Sequence, residues 1–566
     1  MLNRKIAYFS MEIGLEPRMR TYSGGLGMLA GDTLRSAADS GLPLVAVTLL
    51  HRKGYFTQQL DAQGTQTELD AEWPVEELLA EIPERVSVSV EGRTVRIRAW
   101  KYEITGIHGA LVPVYLLDTD LTENAAQDRA LTDRLYGGDL GYRLAQEIVL
   151  GIGGIRMLRA IGYEEITRFH MNEGHSSFLT LELLQEQVRA SGRRRPSQDD
   201  IDAVRSRCVF TTHTPVAAGH DRFPPDLVRR VLGPNMILDT PDLCCFQGMV
   251  NMTYIGLNLS QYVNGVARKH GEVARLLFGG YQIDSITNGV HPPTWTCEPM
   301  QEVFDRHIPD WRRDSSNLRY ASGIPLAEIL DAHRAAKRQL LHEVDRITGA
   351  GFDLEVLTIG FARRATAYKR HDLLVHDLER LHQIATRHGR LQIVFAGKAH
   401  PQDDGGKQII RRIVQLGREL RDPVRLVYLQ GYEMELGRLM TSGCDLWLNT
   451  PEPPHEASGT SGMKAALNGV PSLSVFDGWW FEGHVEGITG WAIGDGSAGA
   501  DGRERDAEAL YRKLETILPL FYKERDRYAA VMRHAISLNG SFFNTQRMIQ
   551  EYAVKAYGLA GNGNSR

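Results

Sequence analysis

Cysteine is scarce in this sequence, and what there is does not pair. Five residues (Cys208, Cys244, Cys245, Cys297, Cys444) are scattered over 566. An odd count at such spacing speaks against a disulfide framework and fits reduced thiols, so the cytoplasm is the expected compartment. No Cys-x-x-Cys or His-x-x-x-His pattern marks a metal site. No apolar run reaches spanning length: residues 42–50 are apolar but far too few. The opening Met-Leu-Asn-Arg-Lys-Ile-Ala-Tyr-Phe-Ser is too short in its apolar part for a signal peptide. There is no positive excess either. The net charge is −5, which gives no general basic field for nucleic acid or an anionic membrane. The run Arg193-Arg194-Arg195 lies in a polar stretch with a proline and reads as an exposed, solvated loop. No repeat of solenoid type is present.

What is present is an ordinary globular composition, 42% hydrophobic and 24% charged, with length for sizeable cores. Length alone suggests three or four domains, although large α/β enzymes often use two. Residues 5–12 read as a strand. A glycine-rich turn follows at 23–27, then a helix to about Ser40 with Gly41 as its stop. Residues 42–50 read as a buried strand. Alternation over 86–118, with Glu91-Gly92 as a turn, reads as added β-structure. Helices are expected at 141–160 and 175–190, and strands at 166–172 and 208–212. In the second half, short buried strands at 355–360, 391–397, 425–430, 445–449 and 471–475 alternate with helices at 371–388, 404–420, 433–442 and 459–468. Another helix is expected near 504–535. Such alternation implies a parallel, doubly wound sheet. The expected architecture is α/β, with two Rossmann-like doubly wound domains facing a cleft. The N-terminal domain is 1–288, with a β insertion. The C-terminal domain is 289–566, its last helix crossing back. Ligands are expected at the carboxyl ends of both sheets.

The most informative stretch is Glu456-Ala457-Ser458-Gly459-Thr460-Ser461-Gly462-Met463-Lys464. A loop of small and hydroxyl residues opening a helix can turn N–H groups and hydroxyls onto an anion. A lysine there can neutralise a phosphate or condense with an aldehyde cofactor. Ser23-Gly24-Gly25-Leu26-Gly27 also opens a helix and lets backbone approach an anion. Its match to a dinucleotide fingerprint fails, because the gap after the first strand is too long. Gly494-x-Gly496-x-x-Gly499 lies in a polar stretch and reads as a loose surface loop. Arg363, Arg364, Lys369 and Arg370 follow a strand, where Arg offers planar bidentate contacts to phosphate and Lys a point charge. Asn172-Glu173-Gly174-His175, Thr212-His213-Thr214-Pro215 and Thr287-Asn288-Gly289 are polar turns after apolar strands. Each alone is a cap or turn, but together they suit sugar hydroxyls.

These motifs occur in the order found in the α-glucan (glycogen, starch, maltodextrin) phosphorylases of glycosyltransferase-B type, and the sequence resembles that family from about Ile6 to about Asp495. The resemblance is nearest to a shorter bacterial-type branch. The nucleotide-effector and phosphorylation control of the larger animal and plant members is therefore not carried over. The resemblance implies pyridoxal 5′-phosphate on Lys464, with Thr460 and Ser461 at the cofactor phosphate and Trp295 near its ring. Arg363 stands where the family has a lysine near that phosphate. Arg364 and Lys369 would bind substrate phosphate, with the Gly25 N–H. Gly24, Leu26, Asn288, Tyr368, Glu456, Ala457, Ser458 and Gly459 would line the substrate site, with His213 near the cleaved bond. His175 and Asp139, the latter on an active-site loop, complete the set. Departures at Glu173-Gly174 and Leu140, and the lead-in 449–455, bear on acceptor recognition.

The implied reaction is reversible phosphorolysis of α-1,4-glucan or maltodextrin by inorganic phosphate. It gives α-glucose 1-phosphate and a shortened glucan, with retained configuration and the cofactor phosphate as proton relay. A nucleotide-sugar glucosyltransferase of the same architecture would carry Glu-x7-Glu, its second carboxylate holding the donor ribose. Here that position is Lys464, which cannot accept hydroxyl hydrogen bonds. A catalytically inactive glucan-binding protein is the third reading, set against retention of the lysine, the cations and both loops. Self-association and glucan length preference are left open.

Overall fold

The computed structural model describes residues 4–215, 220–499 and 501–559. Its first sheet is built from β1 (Ile6–Ser10), β2 (Leu44–Leu49), β3 (Val86–Val90), β4 (Arg93–Thr105), β5 (Leu111–Asp118), β6 (Arg168–Asn172), β7 (Cys208–Thr211), β8 (Tyr262–Gly265) and β9 (Asp284–Ser285). The spatial order is β9-β8-β7-β6-β1-β2-β5-β4, with Ala80–Glu81 and β3 both paired to β4. From β9 to β5 every pair is parallel. β4 runs antiparallel to β5 and to β3. Thus the alternating 86–118 segment extends the main sheet. Its hairpin closes through Glu91 and Gly92, both at positive φ (50° and 75°), the backbone that a two-residue turn between twisted strands requires.

β1 and β2 are buried along their whole length, as parallel strands covered on both faces must be. Alternate residues serve different cores: Ala7 and Phe9 face one, Ile6 and Tyr8 the other. The Ile6/Tyr8 face is covered by α1 (Gly25–Asp39) and by a helix from the far end of the chain, Thr545–Lys555, which contributes Met548, Ile549 and Tyr552. Polar pins fix that helix in place. Ser36 Oγ lies 2.6 Å from Thr545 Oγ1, and Tyr552 Oη accepts from Asn264 Nδ2 at 2.9 Å.

The second sheet is parallel throughout: β10 (Leu357–Ala362), β11 (Leu391–Ala396), β12 (Val424–Leu429), β13 (Leu446–Asn449), β14 (Ser472–Val475) and β15 (Gly490–Ile493). Its order is β12-β11-β10-β13-β14-β15. Counted within the sheet this is 3-2-1-4-5-6, the doubly wound arrangement. β15 is an addition to the five strands expected from the sequence.

One helix is additional to the sequence expectations and two expected helices need correction. α2 (Leu326–Thr348) is a long helix that the sequence reading passed over; it buries Ile329, Ala332, Ala336, Leu340 and Val344 and stops at left-handed Gly349. The helix expected at 371–388 begins only at Leu378, capped by Asp377, because Arg370 is left-handed and turns fill the interval. The helix expected at 504–535 is two, Gly502–Lys523 and Arg525–His534, parted at Glu524. Among the described residues no helix is long and apolar enough to cross a membrane.

Candidate active site

In the second sheet the winding reverses between β10 and β13, and such a reversal leaves a crevice at the strands' carboxyl ends. Arg363 and Arg364 follow β10 directly, and Asn449 ends β13. Arg363 donates to Asn449 Oδ1 across that crevice. It also grips Glu456 through both amino groups, at 2.7 and 2.8 Å, and Lys369 Nζ reaches the same carboxylate at 2.6 Å. Burial works against the Glu456 charge, but Arg363 and Lys369 outweigh it and hold the carboxyl down at about 2. Asp477 backs this loop from behind. Its two oxygens accept the N–H groups of Glu456 and Gly478, both at 2.9 Å. Burial pushes Asp477 up to about 7, against the two N–H groups and the Lys369 charge that favour its ionised form. Gly478 must be glycine, since a Cβ there would lie 2.4 Å from the Ser458 carbonyl oxygen.

Arg364 differs from its neighbours. It stays accessible to solvent and makes no ion pair among the described residues. Enclosure works against its charge, while Tyr368, Tyr55, Glu12 and Tyr136 favour it. Gly24 lies alongside: a Cβ built there would be 3.9 Å from Arg364 Cδ. The glycine loop therefore runs beside the Arg364 side chain. Glu12, just past β1, accepts the N–H groups of Ser23 (2.6 Å) and Gly24 (3.2 Å) and the Tyr136 hydroxyl (2.9 Å). The next residue, Gly25, is exposed, and a Cβ there would touch nothing. Its place at the helix start, with open space in front, suits an anion.

Lys464 lies on α3 (Thr460–Leu467), whose N-cap Gly459 has φ 89°. The amine is buried and donates no hydrogen bond among the described residues; it sits 3.4 Å from the centroid of the Trp295 ring. Burial lowers its pKa to about 8, with Asp32 opposing that shift. A buried, unpartnered, partly neutral amine can condense with an aldehyde. Asn468 ties the pieces together by donating to the carbonyl oxygens of Trp295 and Lys464, both at 2.9 Å. At the head of α3, the Ser461 hydroxyl accepts the Trp447 indole N–H at 3.1 Å. Thr460 is half-buried beside it. The lysine and the hydroxyls that open its helix fit a phosphate-bearing aldehyde.

The polar turns of the first sheet lie at the carboxyl ends of β6, β7 and β9. Glu173 has φ 75° and accepts from the His213 N–H at 2.7 Å; burial pushes its carboxyl up to about 7. His213 is held near 3 by burial, hence neutral, and its Nε2 has no partner among the described residues. Asn288 Oδ1 and Ser458 Oγ are also buried without partners among the described residues, so each is an unused hydrogen-bonding group there. Tyr368 stacks its ring 4.5 Å from Lys369 Nζ. Ala457 and Leu26 are half-buried beside these loops. His175 is turned inward to Asp221 at 3.3 Å. Asp139 is not brought to the cluster: exposed, it caps the helix Leu140–Ile148 by accepting from Tyr142 N–H. The residue of that loop that reaches inward is Tyr136, held at φ 56°. The sequence reading missed Glu12, Tyr136, Asp32 and Asp477. Only Glu12 had a legible signal, as a carboxylate just beyond a strand that precedes the glycine loop.

A sequence profile for the family described as carbohydrate phosphorylase matches residues 243–485. The maltodextrin phosphorylase of Thermococcus litoralis is 37% identical over 98% of this chain and 70% of its own length. The glycogen phosphorylase of Mycobacterium tuberculosis is 39% identical over 98% of this chain and 71% of its own. That of Aquifex aeolicus is 34% identical over 98% and 86%. With identities of this size along almost the entire sequence, the chain belongs to the carbohydrate phosphorylase family of glycosyltransferases.

Proposed function

We propose that the chain catalyses reversible phosphorolysis of α-1,4-glucan or maltodextrin, taking up inorganic phosphate and releasing α-glucose 1-phosphate and a shortened glucan. The observation that carries this is Lys464: a buried amine with no hydrogen bond among the described residues, resting on the Trp295 indole face, in a helix whose first turn carries the Thr460 and Ser461 hydroxyls. Lys464 would hold pyridoxal 5′-phosphate, with Thr460, Ser461 and Arg363 at its phosphate and Trp295 at its ring. When bound, that group supplies a second phosphate able to exchange a proton with the substrate phosphate. We further read residues 1–288 and 289–566 as two α/β domains whose strand ends face one cleft. The approach of Gly24 to Arg364 supports that reading.

The remaining chemistry belongs to the chain's own groups. Arg364 and the Gly25 N–H bind the incoming phosphate. Arg363 and Lys369 supply further positive charge, since anions gather in one site only where cations offset them. Tyr368, Asn288 and the loop from Glu456 to Gly459 hold the glucosyl unit by its hydroxyls. His213 is neutral and serves as a hydrogen-bonding group at the cleaved bond. Substrate phosphate gives its proton to the glycosidic oxygen as the bond to C1 breaks. It then attacks C1 from the same side, so the α configuration is kept.

The test is product formation. Incubation with maltodextrin and inorganic phosphate should yield glucose 1-phosphate, and the reverse reaction should lengthen the glucan. Release of nucleoside diphosphate from a nucleotide-glucose, with no glucose 1-phosphate formed from phosphate, would move the assignment to the nucleotide-sugar transferases.

A further inference from the structure

Helix α1 carries more than the glycine loop. About two turns beyond Gly25 stands Asp32, 1% exposed. Its carboxylate accepts the Trp295 indole N–H at 2.7 Å and pairs with Arg35 at 3.3 Å. Arg35 is itself anchored to the Leu15 carbonyl oxygen. A buried carboxylate is costly unless held by such partners, and the apolar packing of α1 on its sheet has no use for a charge there. Trp295, which Asp32 holds at one edge, is the ring against which the Lys464 amine rests. Its carbonyl oxygen is fixed by Asn468, which also bonds to Lys464. The indole is thus pinned from α3 through its backbone and from α1 through its ring. Among the described residues the charged groups acting on Lys464 are Asp32 and Arg35, both on α1.

We propose that Asp32 is a positioning residue for the Lys464 amine: it fixes the indole on which the amine rests and supplies the negative charge that balances it. One helix would then present the anion-binding Gly25 at its start and order the lysine pocket two turns later. The purpose of that arrangement, readying an amine for an aldehyde, rests on the function proposed above; the contacts do not.

Two variants separate the roles. Asp32→Asn keeps an acceptor for the indole and removes the charge, leaving Arg35 and Lys464 unbalanced. Asp32→Ala removes both. In full-length protein freed of bound cofactor, trace acetylation of Lys464 at pH 7, read by peptide mass spectrometry, should rise about fivefold in Asp32→Asn, the change in free amine when a pKa of about 8 falls by about one unit. In protein loaded with pyridoxal phosphate, hydroxylamine should strip the cofactor several-fold faster from Asp32→Ala than from wild type, with Asp32→Asn close to wild type. Unchanged acetylation in Asp32→Asn overturns the proposal even where Asp32→Ala fails to fold, and so does equal stripping of a folded Asp32→Ala. A wild-type protein that binds no pyridoxal phosphate contradicts the functional reading instead, and the acetylation comparison still decides the role of Asp32.

Discussion

Glu456 sets the charge balance of the site, because its single negative charge is shared by two of the three cations that phosphate would need. Arg363 and Lys369 are both committed to it, and only Arg364 is unpaired. On the proposed function, incoming phosphate would meet Arg364 first. Arg364→Ala should lower kcat/KM for phosphate by about 100-fold, the usual loss for one donor to a developing charge, with glucan binding unaltered. Steady-state kinetics with phosphate and glucan varied separately would check this. The clamp also has a pH signature. The Glu456 carboxyl stands at about 2 in the fold, below its ordinary value. A depressed carboxylate stabilises the fold above its unfolded pKa and loses that contribution as pH falls through its folded one. Urea midpoints of the wild type should thus fall between pH 4.5 and about 2 more steeply than those of Glu456→Gln. Parallel slopes would remove the clamp from the account.

At the scale of elements, the second sheet is held by a buried ion pair remote from the crevice. Asp445, just before β13, binds Lys337 of α2 at 2.6 Å and His333 at 2.9 Å, and accepts the Thr358 N–H at 2.7 Å. Removing one member of such a pair strands the other charge in the core. Asp445→Asn should therefore cost about 3–5 kcal/mol of stability while leaving KM for phosphate unchanged, as denaturant unfolding and kinetics would show. The strand pattern of this sheet was legible because parallel buried strands write themselves as short apolar runs. α2 was not, because charged residues on its outer face interrupt the apolar one. β15 was missed because it is short and lies among glycine turns. Among site residues, the lysine loop, the cations and Gly24–Gly25 were legible from local pattern. Asp32, Asp477 and Tyr136 were not: each acts through a partner far along the chain, and local spacing carries no trace of that.

At the scale of the whole molecule, the two ends of the chain meet. The helix Thr545–Lys555 packs on β1 and α1, and the Tyr552 hydroxyl bonds to Asn264 Nδ2 at 2.9 Å and lies 3.1 Å from Thr211 Oγ1. Tyr552→Phe leaves buried polar groups unsatisfied and should cost about 1–3 kcal/mol, seen as a lower thermal midpoint with the lysine pocket intact. An unchanged midpoint would mean that apolar packing alone seats this helix. Residues far apart in the chain also meet at Lys464, where Asp32 holds the Trp295 indole and Asn468 bonds to the lysine's carbonyl oxygen, and the central claim concerns that single amine. Its most direct test is the absorption spectrum of the purified protein, followed by borohydride reduction and peptide mapping. The account predicts a visible band characteristic of a lysine-bound pyridoxal and a reduced pyridoxyl group on Lys464. A colourless protein that pyridoxal phosphate cannot reconstitute, or a label on a different lysine, would contradict it.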